Sequence, residues 1–479
     1  MKLLNIIKEN KGIILAAIVA IVIILLPTPK PFWFGGKMIV LSQQAQIMLA
    51  LLGALVIIFV TEALPIGATV FIVYVWAVFF GLGEPKDIVK VFSHDAAWFL
   101  IGALMIAEVL IKYNLHKRIL LGILKVVGSK VRNIVFGIVT FCALTASFIA
   151  DHTIAAMMIP VVLAIVSLSG GYKRVPKLTH LLLFSVAYGV AIGGLATPSG
   201  GGRNVVMIGF LHDYFNVSIN YGTWMLMGLP VTLILIPILV FWLLLIFKPE
   251  VKDLSEVIDK IKREVRMQSM SYKEWSTAII FVIIVTLFIF NGHLGLGVIA
   301  LFGALLFLIF RLADWGDYQK INWGIGLLYF GAVGLGSLLH STGAAVWLAA
   351  NIVSTVGSWF HLTEGLRLVA LSVISTTVFT QIMADGPTVA SLGPVFLEMA
   401  KLTVVDPVIL GVSVAMASAF AFALLIGHPA NAIIYGSGYL KAKDFIKAGL
   451  AMSVISVIVL LLVINFWWKF IGIGIDGLH

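Results

Sequence analysis

Runs of about 17–25 apolar residues recur along almost the whole chain, the length that a helix needs to cross the hydrocarbon core of a bilayer. Of the 479 residues, 61% are hydrophobic and 11% are charged, whereas soluble domains average about 25% charged residues. Continuous apolar runs of this length are typical of membrane-spanning helices. The sequence therefore predicts an all-α polytopic membrane protein that has the lipid bilayer as its surroundings.

The remaining bulk features fit this class. The net charge is +10, but the basic residues lie in short loops between the apolar runs, where they indicate topology rather than nucleic-acid binding. One cysteine, Cys142, excludes a disulfide framework. The N-terminal "MKLLNIIKENKG" precedes an apolar run without a small-residue cleavage site, which predicts an uncleaved first span.

Two kinds of apolar stretch can be distinguished by length. The ordinary spans are predicted near 12–27, 43–60, 64–82, 96–112, 224–247, 276–291, 295–311, 323–340 and 445–468. The longer stretches are 133–169, 178–210, 366–402 and 404–440. Of these, 178–210 and 404–440 are interrupted by glycine and proline and are predicted to be broken spans.

The positive-inside rule assigns the other two long stretches. Basic clusters flank 133–169 on both sides, so that stretch starts and ends in the cytoplasm and is predicted to be a re-entrant hairpin. The stretch 366–402 then enters from the opposite side. Each half has five spans and one hairpin, and an odd number of spans makes the halves face opposite ways. The N-terminus is expected in the cytoplasm and the C-terminus outside, with about eleven transmembrane helices in all.

This arrangement predicts an inverted-topology repeat, which is typical of secondary transporters. The predicted parts are an N-terminal span and connector, a first repeat with the inner hairpin, a charged cytoplasmic connector, a second repeat with the outer hairpin, and a tail. Their boundaries are 1–42, 43–247, 248–275, 276–468 and 469–479.

Each hairpin carries an aspartate in its apolar middle. "FIADHTIAAMMIP" at 148–160 contains Asp151 and "QIMADGPTVASLGP" at 381–394 contains Asp385, and each aspartate is followed nine residues later by a proline. The two tips therefore look like copies of one element. Ionisable residues inside a membrane cost at least about 2.5–3.5 kcal/mol at mid-bilayer on insertion scales, which makes a functional role the default.

The broken spans match each other in the same way. "GGLATPSGGGRNVV" at 193–206 and "LLIGHPANAII" at 424–434 each end in an asparagine, Asn204 and Asn431. Interrupted spans at corresponding positions of two halves indicate a transport site. The helix N-termini freed at the breaks present N–H groups and a partial positive charge that suit an anion.

Three segments resemble a known family. "TEALPIGAT" at 61–69, "NAIIYGSGYLKAKDFIKAG" at 431–449 and the "AAMMIP" after the first tip are similar to signatures of the divalent anion/sodium symporters, of the di- and tricarboxylate transporter type. The resemblance implies a homodimer in which a scaffold holds a transport domain that moves as an elevator. It also implies that two Ser-Asn-Thr hairpin tips bind substrate carboxylates and, with the breaks, two sodium ions.

This chain departs from the family pattern at the site itself. The first tip reads Ala150-Asp151-His152 and the second reads Ala384-Asp385-Gly386, while an arginine, Arg203, stands in the first break. The residues expected to bind substrate are Asp151, His152, Thr153, Arg203, Asn204, Asp385, Gly386, Thr388, His428, Pro429 and Asn431. Those expected to couple a cation or proton are Asp151, Asp385, Thr197 and Ser199.

Four interpretations of these charges remain open. The aspartates could be protonated when substrate binds and so carry protons. Arg203 could pair with Asp151 and supply the positive charge that sodium supplies in relatives, which would allow exchange. The carboxylates could instead hold Na⁺ near Asp151 and Asp385, leaving sodium as a coupling ion and the only cofactor. Finally, the solute could be an inorganic oxyanion, a zwitterion or a cation. His152 could relay protons or donate to substrate.

We therefore expect a secondary active transporter of a small anion, most readily a di- or tricarboxylate, coupled to H⁺ or working by exchange. An intramembrane aspartyl hydrolase would carry Tyr-Asp and Gly-x-Gly-Asp motifs, which the chain lacks, so an enzyme is not expected. A channel has less need of hairpins entering from opposite sides. The expected partners are the solute and a second copy, not nucleic acid, in a prokaryotic inner membrane.

Overall fold

The computed structural model describes residues 11–34, 37–86, 95–115, 118, 126, 128–257, 269–291, 294–360, 365–403 and 405–473. Within these ranges the chain is helical apart from one two-stranded antiparallel ribbon. Residues 1–10 of the predicted N-terminal segment, 258–268 of the predicted connector and 474–479 of the predicted tail lie outside the described residues.

Within the described residues, the N-terminal segment and first half contain nine helices of defined bounds, α1–α9, and the ribbon β1–β2 follows the first. Their bounds are α1 Lys11–Leu25, β1 Phe32–Phe34, β2 Lys37–Ile39, α2 Gln43–Thr61, α3 Thr69–Phe79, α4 Asp95–Lys112, α5 Val131–Ala146, α6 Asp151–Leu168, α7 Pro176–Gly193, α8 Gly202–Phe215 and α9 Tyr221–Ile246. Short 3₁₀ turns at Ile66–Ala68 and Pro198–Gly200 precede α3 and α8.

The second half repeats this order with ten helices, α10–α19. Their bounds are α10 Tyr272–Phe290, α11 Leu296–Ile309, α12 Trp315–Gln319, α13 Trp323–Ser341, α14 Ala344–Phe360, α15 Gly365–Ile382, α16 Asp385–Leu402, α17 Pro407–Ala417, α18 Pro429–Tyr435 and α19 Ala442–Val463. One π-helical turn, Ile464–Trp468, extends α19.

Eight of the described helices are long and apolar enough to cross a membrane. Two of the eight, α6 and α15, are arms of the predicted hairpins, because length and composition cannot distinguish an arm from a span. Six shorter apolar helices complete the set, among them α3, α11 and α17. The all-α polytopic architecture predicted from the sequence is therefore confirmed.

Local sequence explains where these helices begin. The side chain of Ser42 accepts from the backbone N–H of Ala45 and caps α2, and Ser271 forms a reciprocal capping box with Glu274 at the start of α10. A proline stands in the first turn of α7, α17 and α18. The N–H that proline lacks would have no partner within the helix at this position, so no hydrogen bond is lost.

The described part of the connector is tied to the first hairpin. The carboxylate of Asp253 accepts from the backbone N–H of Ser255 and from the hydroxyl of Ser129, each at 2.8 Å, and these bonds hold the pKa of Asp253 below its ordinary value. Backbone bonds from Val131 to Lys252 and from Leu254 to Ser129 complete the junction. This end of the connector therefore packs beside the start of α5.

Both broken spans are closed in the same way. The side-chain amide of Asn204 donates to the carbonyl oxygens ten and seven residues earlier, those of Gly194 and Thr197, at 2.8 and 2.9 Å. In the second half, the amide of Asn431 donates to the carbonyls of Ala421 and Leu424 at the same spacing and the same two distances. The matching bonds show that the two breaks are structural copies.

The two halves interlock at these breaks. The helix after the first break, α8, packs against α16 of the second hairpin, and the helix after the second break, α18, packs against α6 of the first hairpin. The early spans pair across the halves as well, α4 with α11 and α3 with α13. As a result, the hairpin tip of each half faces the break of the other half.

Candidate functional site

A cavity of about 600 Å³ lies where the two hairpin tips meet the two breaks. Four helices begin at its wall: α6 at Asp151, α16 at Asp385, α8 at Gly202 and α18 at Pro429. Each helix N-terminus carries roughly half an elementary positive charge from its aligned peptide dipoles. The wall of the cavity is therefore electropositive in its backbone even before side chains are considered.

The two aspartates occupy equivalent places at the hairpin tips. Neither tip has a side-chain cap from the preceding alanine, and one carboxylate oxygen of each aspartate accepts from the next backbone N–H, that of His152 or Gly386, at 2.7 Å. A carboxylate at a helix N-terminus is favoured by the dipole as well as by the hydrogen bond. The tips thus hold their acids by the same local geometry.

The ion pairs of the site cross between the halves. The guanidinium of Arg203, on α8, binds the carboxylate of Asp385 on α16, and its Nη1 is 3.9 Å from Oδ2 of Asp151. Nε2 of His428, at the start of α18, is 2.9 Å from Oδ2 of Asp151 on α6. The expected pairing of Arg203 with Asp151 is therefore secondary to its pairing with Asp385, because α8 packs on the opposite hairpin.

Arg203 lies in a cradle of glycine backbone. Its side chain is only 1% exposed. A Cβ added at Gly201 would lie 2.9 Å from Nη1 and 3.0 Å from Cζ, and one added at Gly194 would lie 2.5 Å from Nη2. The glycines of the first break therefore do more than interrupt a helix: they leave the space that the guanidinium fills.

Two donors of Arg203 remain unused. Nε and Nη2 are buried and have no hydrogen-bond acceptor among the described residues. A buried donor without a partner costs about 1–3 kcal/mol, so an acceptor that reached these atoms would be favoured. Both atoms are enclosed by the glycine cradle, so an anion in the cavity would reach them only if the guanidinium moved.

His428 is held in one tautomer by its backbone. Its Nδ1 accepts from the N–H of Ala430 at 3.3 Å and so caps α18. An Nδ1 that accepts carries no hydrogen, so the proton of the neutral ring is on Nε2, which faces Asp151. The Nε2–Oδ2 approach is short but lies off the ideal N–H direction. Nε2 of His428 thus faces Asp151 without an aligned hydrogen bond.

Asp151, Asp385 and His428 are the one group of described residues with the composition of a metal site. Their nearest ligand atoms lie within 4.8 Å of one another. A histidine that binds a metal normally donates from its other ring nitrogen, whereas Nδ1 of His428 accepts. Arg203 also brings a fixed positive charge to Asp385. The cluster therefore does not fit a metal ion that has His428 as a ligand.

The other residues expected at the site fall into two groups. Ser199, Gly386 and Pro429 line the cavity with the charged residues. Those that do not line it are Thr153, Thr197, Asn204, Thr388 and Asn431. Most of the second group bind nearby backbone: for example, the hydroxyl of Thr197 bonds the carbonyl of Ser147, and that of Thr388 bonds the carbonyls of Met383 and Ala384.

Three polar lining side chains were not among the site residues expected from the sequence. Glu62 was interpreted as a structural residue near a membrane face, and Asn322 and Tyr329 of the α13 region were not considered. The Tyr329 hydroxyl is buried without a partner among the described residues. A tyrosine in an apolar span gives no sequence signal that separates a cavity-facing hydroxyl from an interfacial one, so only packing identifies it.

Comparison with known proteins places this geometry in context. The family described as "Sodium:sulfate symporter transmembrane region" matches residues 8–473. A sodium-dependent dicarboxylate transporter of Staphylococcus saprophyticus is 26% identical, over 96% of this chain and 93% of the relative. One from Staphylococcus aureus strain USA300 is 25% identical, over 87% of this chain and 84% of the relative.

Two solved structures share the fold. The antimetabolite efflux pump MtrF of Neisseria gonorrhoeae has a TM-score of 0.55 at 12% identity, with 94% of each chain covered. The YdaH transporter of Alcanivorax borkumensis has a TM-score of 0.51 at 13% identity, with 98% of this chain and 97% of the other covered. At these identities the likeness concerns the arrangement of helices alone.

Proposed function

The chain belongs to the sodium:sulfate symporter family, a family of membrane transporters and not of enzymes, and from that premise we propose that it carries a small dicarboxylate across the membrane as a secondary transporter. Dicarboxylate is the solute class in the names of the staphylococcal relatives. We propose coupling to H⁺ or exchange of one anion for another, in place of sodium symport.

The observation that carries the proposal is the pair of contacts that cross between the halves at the cavity: the Arg203–Asp385 ion pair and the close approach of His428 to Asp151. Arg203 and His428 each reach an aspartate of the opposite half, so the site is built from both halves at once. The guanidinium charge of Arg203 and the positive ends of α6, α8 and α16 all lie at the cavity and attract carboxylate groups. A dicarboxylate could span the two tips with one carboxylate at each.

Charge counting supports a coupling without sodium at the first break. With both histidines neutral, Asp151, Asp385 and Arg203 give the cluster a net charge of −1. Arg203 already supplies a permanent positive charge in the glycine cradle, at the break where the family resemblance implies a sodium ion. A dianion still meets two carboxylates, so further positive charge has to arrive with it, and a proton can supply it.

We propose an elevator motion for the transport cycle. The early spans of each half, α2–α4 and α10–α13, would form the scaffold, and the hairpins and broken spans the moving part. Residues of both groups line the cavity, for example Leu104 and Tyr329 of the scaffold and Asp151 and Asp385 of the hairpins. The cavity therefore lies between the two groups, which supports a site that moves with one group past the other. We further propose a homodimer in a bacterial plasma membrane with a cytoplasmic N-terminus.

A second candidate is a zwitterionic solute. Asp151 and Asp385 keep 12% and 17% of their side chains exposed, so their oxygens could meet a cationic group in the cavity. A solute with one carboxylate and one ammonium would then use both signs of charge. This alternative shares the fold and the site and differs only in the cargo.

Uptake into proteoliposomes tests the proposal. Purified protein should accumulate [¹⁴C]succinate in counterflow against unlabelled succinate, with choline replacing sodium, and an inward proton gradient should increase the uptake of a preparation without internal substrate. Unlabelled amino acids added as competitors of succinate uptake distinguish the zwitterion candidate from the dicarboxylate proposal. Succinate counterflow that requires sodium would overturn the proposed coupling, and competition by zwitterions alone would favour the second candidate.

A further inference from the structure

We propose that His152 is the group that takes up a proton when substrate binds, a role that rests on the proposed dicarboxylate transport. His152 is the second residue of α6, directly after the tip aspartate, and its ring lines the cavity with 29% of the side chain exposed. The relatives' tip motif, Ser-Asn-Thr, offers no such group at this place. We assign this role to His152 because the other charged groups at the site, the two aspartates, Arg203 and His428, are each held by protein partners.

The two aspartates are held as carboxylates. Asp385 is bound by the Arg203 guanidinium and by the N–H of Gly386. Asp151 faces His428 at 2.9 Å, Arg203 at 3.9 Å and the N–H of His152 at 2.7 Å. Both stand at helix N-termini, which favour negative charge. Both oxygens of each aspartate therefore already face a protein N–H or a positively charged partner, which a neutral carboxyl group would satisfy less strongly.

The two other basic side chains of the cluster, those of Arg203 and His428, are also held in place. Arg203 stays charged in any protein environment. The ring of His428 is 1% exposed, and its Nδ1 accepts from the N–H of Ala430 at 3.3 Å, so the ring is packed into the second break. Glu62 lines the cavity from the scaffold and is exposed. Among the charged and titratable side chains of the described tips and breaks, that of His152 is the most exposed, and an imidazole is the side chain whose ordinary pKa lies near neutral pH.

The surroundings of His152 set opposing influences on its charge. The carboxylate of Asp151 lies 3.6 Å from Nδ1, and Asp385 lines the same cavity, and both favour the imidazolium. The positive end of α6 and the guanidinium of Arg203 oppose it. Protonation changes the cluster from −1 to neutral, which removes the net repulsion that a dianion would otherwise meet. Substrate and proton therefore favour each other, as thermodynamic linkage requires.

Binding measurements across pH test the assignment. Succinate affinity of the purified wild-type protein should rise as the pH falls from about 8.5 towards 6.5, by up to about tenfold per pH unit for one coupled proton. The range stays above the pH at which succinate itself takes up a proton. His152→Gln should bind more weakly and with no pH slope. His428→Gln is the matched control, because it should weaken binding at every pH while keeping the slope.

Two further measurements keep the assignment testable if a variant fails to fold. Adding succinate to wild-type protein in weakly buffered solution near pH 7.5 should take up protons, up to one per site occupied, and His152→Arg should bind with affinity that does not change with pH. An unaltered pH slope in His152→Gln, or binding without proton uptake, would overturn the role of His152. A wild-type protein that binds succinate at no pH would overturn the proposed function itself.

Discussion

At the scale of single residues, the account depends on Arg203 as a charge built into the chain. Buried ion pairs gain little over apolar packing, but removal of one partner leaves an uncompensated charge at a cost of about 3–5 kcal/mol. Arg203→Gln should therefore lower the melting temperature and abolish transport. In Arg203→Gln with Asp385→Asn, most of the stability should return without activity. If the double variant were no more stable than Arg203→Gln, the pairing of Arg203 with Asp385 would be wrong.

The glycine cradle gives a second prediction at this scale. At Gly201 the backbone is extended, with φ of −168°, so any residue can adopt it and only space is at issue. Gly201→Ala should displace the guanidinium and reduce succinate transport at least about tenfold, corresponding to about 1.4 kcal/mol. Gly222→Ala, where a Cβ meets its nearest atom at 3.5 Å, should leave transport unchanged. Equal activity of both variants would exclude the cradle.

At the scale of elements, the breaks depend on their asparagines. Each amide donates to two backbone carbonyls of its interrupted span. Asn204→Asp and Asn431→Asp keep the size but lose both donors, so each should destabilise the protein by about 1–3 kcal/mol, and to a similar extent. Asn351→Asp, where a partly buried amide makes one local bond, is the control for thermal unfolding. A large difference between the two break variants would contradict their equivalence.

The sequence predicted the helices themselves well and their packing against each other poorly. The spans, hairpins and breaks could be predicted because apolar length and interrupting glycine and proline are local signals. The packing of each half against the other could not be predicted, because no local sequence signal indicates that α8 packs on α16 and not on α6. For that reason Arg203 was expected beside Asp151 and lies against Asp385. The asparagines were expected to contact substrate, and their amides bind backbone carbonyls instead.

At the scale of the whole molecule, an elevator requires α16 to slide against α13. A contact between His340 and Glu398 joins the two helices. At the helical rise of about 1.5 Å per residue, His340 lies about 22 Å along α13 from Ile325, which lines the cavity. Nδ1 of His340 lies 2.5 Å from the buried carboxylate of Glu398. His340→Cys with Glu398→Cys, in a Cys142→Ala background, should cross-link with mercury and stop succinate exchange until a thiol is added.

Single-cysteine variants treated in the same way are the control for that experiment, because they cannot join the two helices. They should keep the exchange rate they have without mercury. Exchange at an undiminished rate in the cross-linked double variant would show that α13 and α16 need not move apart. It would thereby contradict the proposed division into scaffold and moving part, while leaving the site at the breaks untouched.

The position of a bound dicarboxylate tests the central claim most directly. A structure determined with bromosuccinate and recorded at the bromine absorption edge would locate the ligand by its heavy atom. We predict one bromine peak per protomer, inside the cavity between Asp151 and Asp385, with a carboxylate of the ligand within hydrogen-bonding distance of Arg203 or the N-terminus of α8. A peak elsewhere, or a cavity left empty at a saturating concentration, would contradict it.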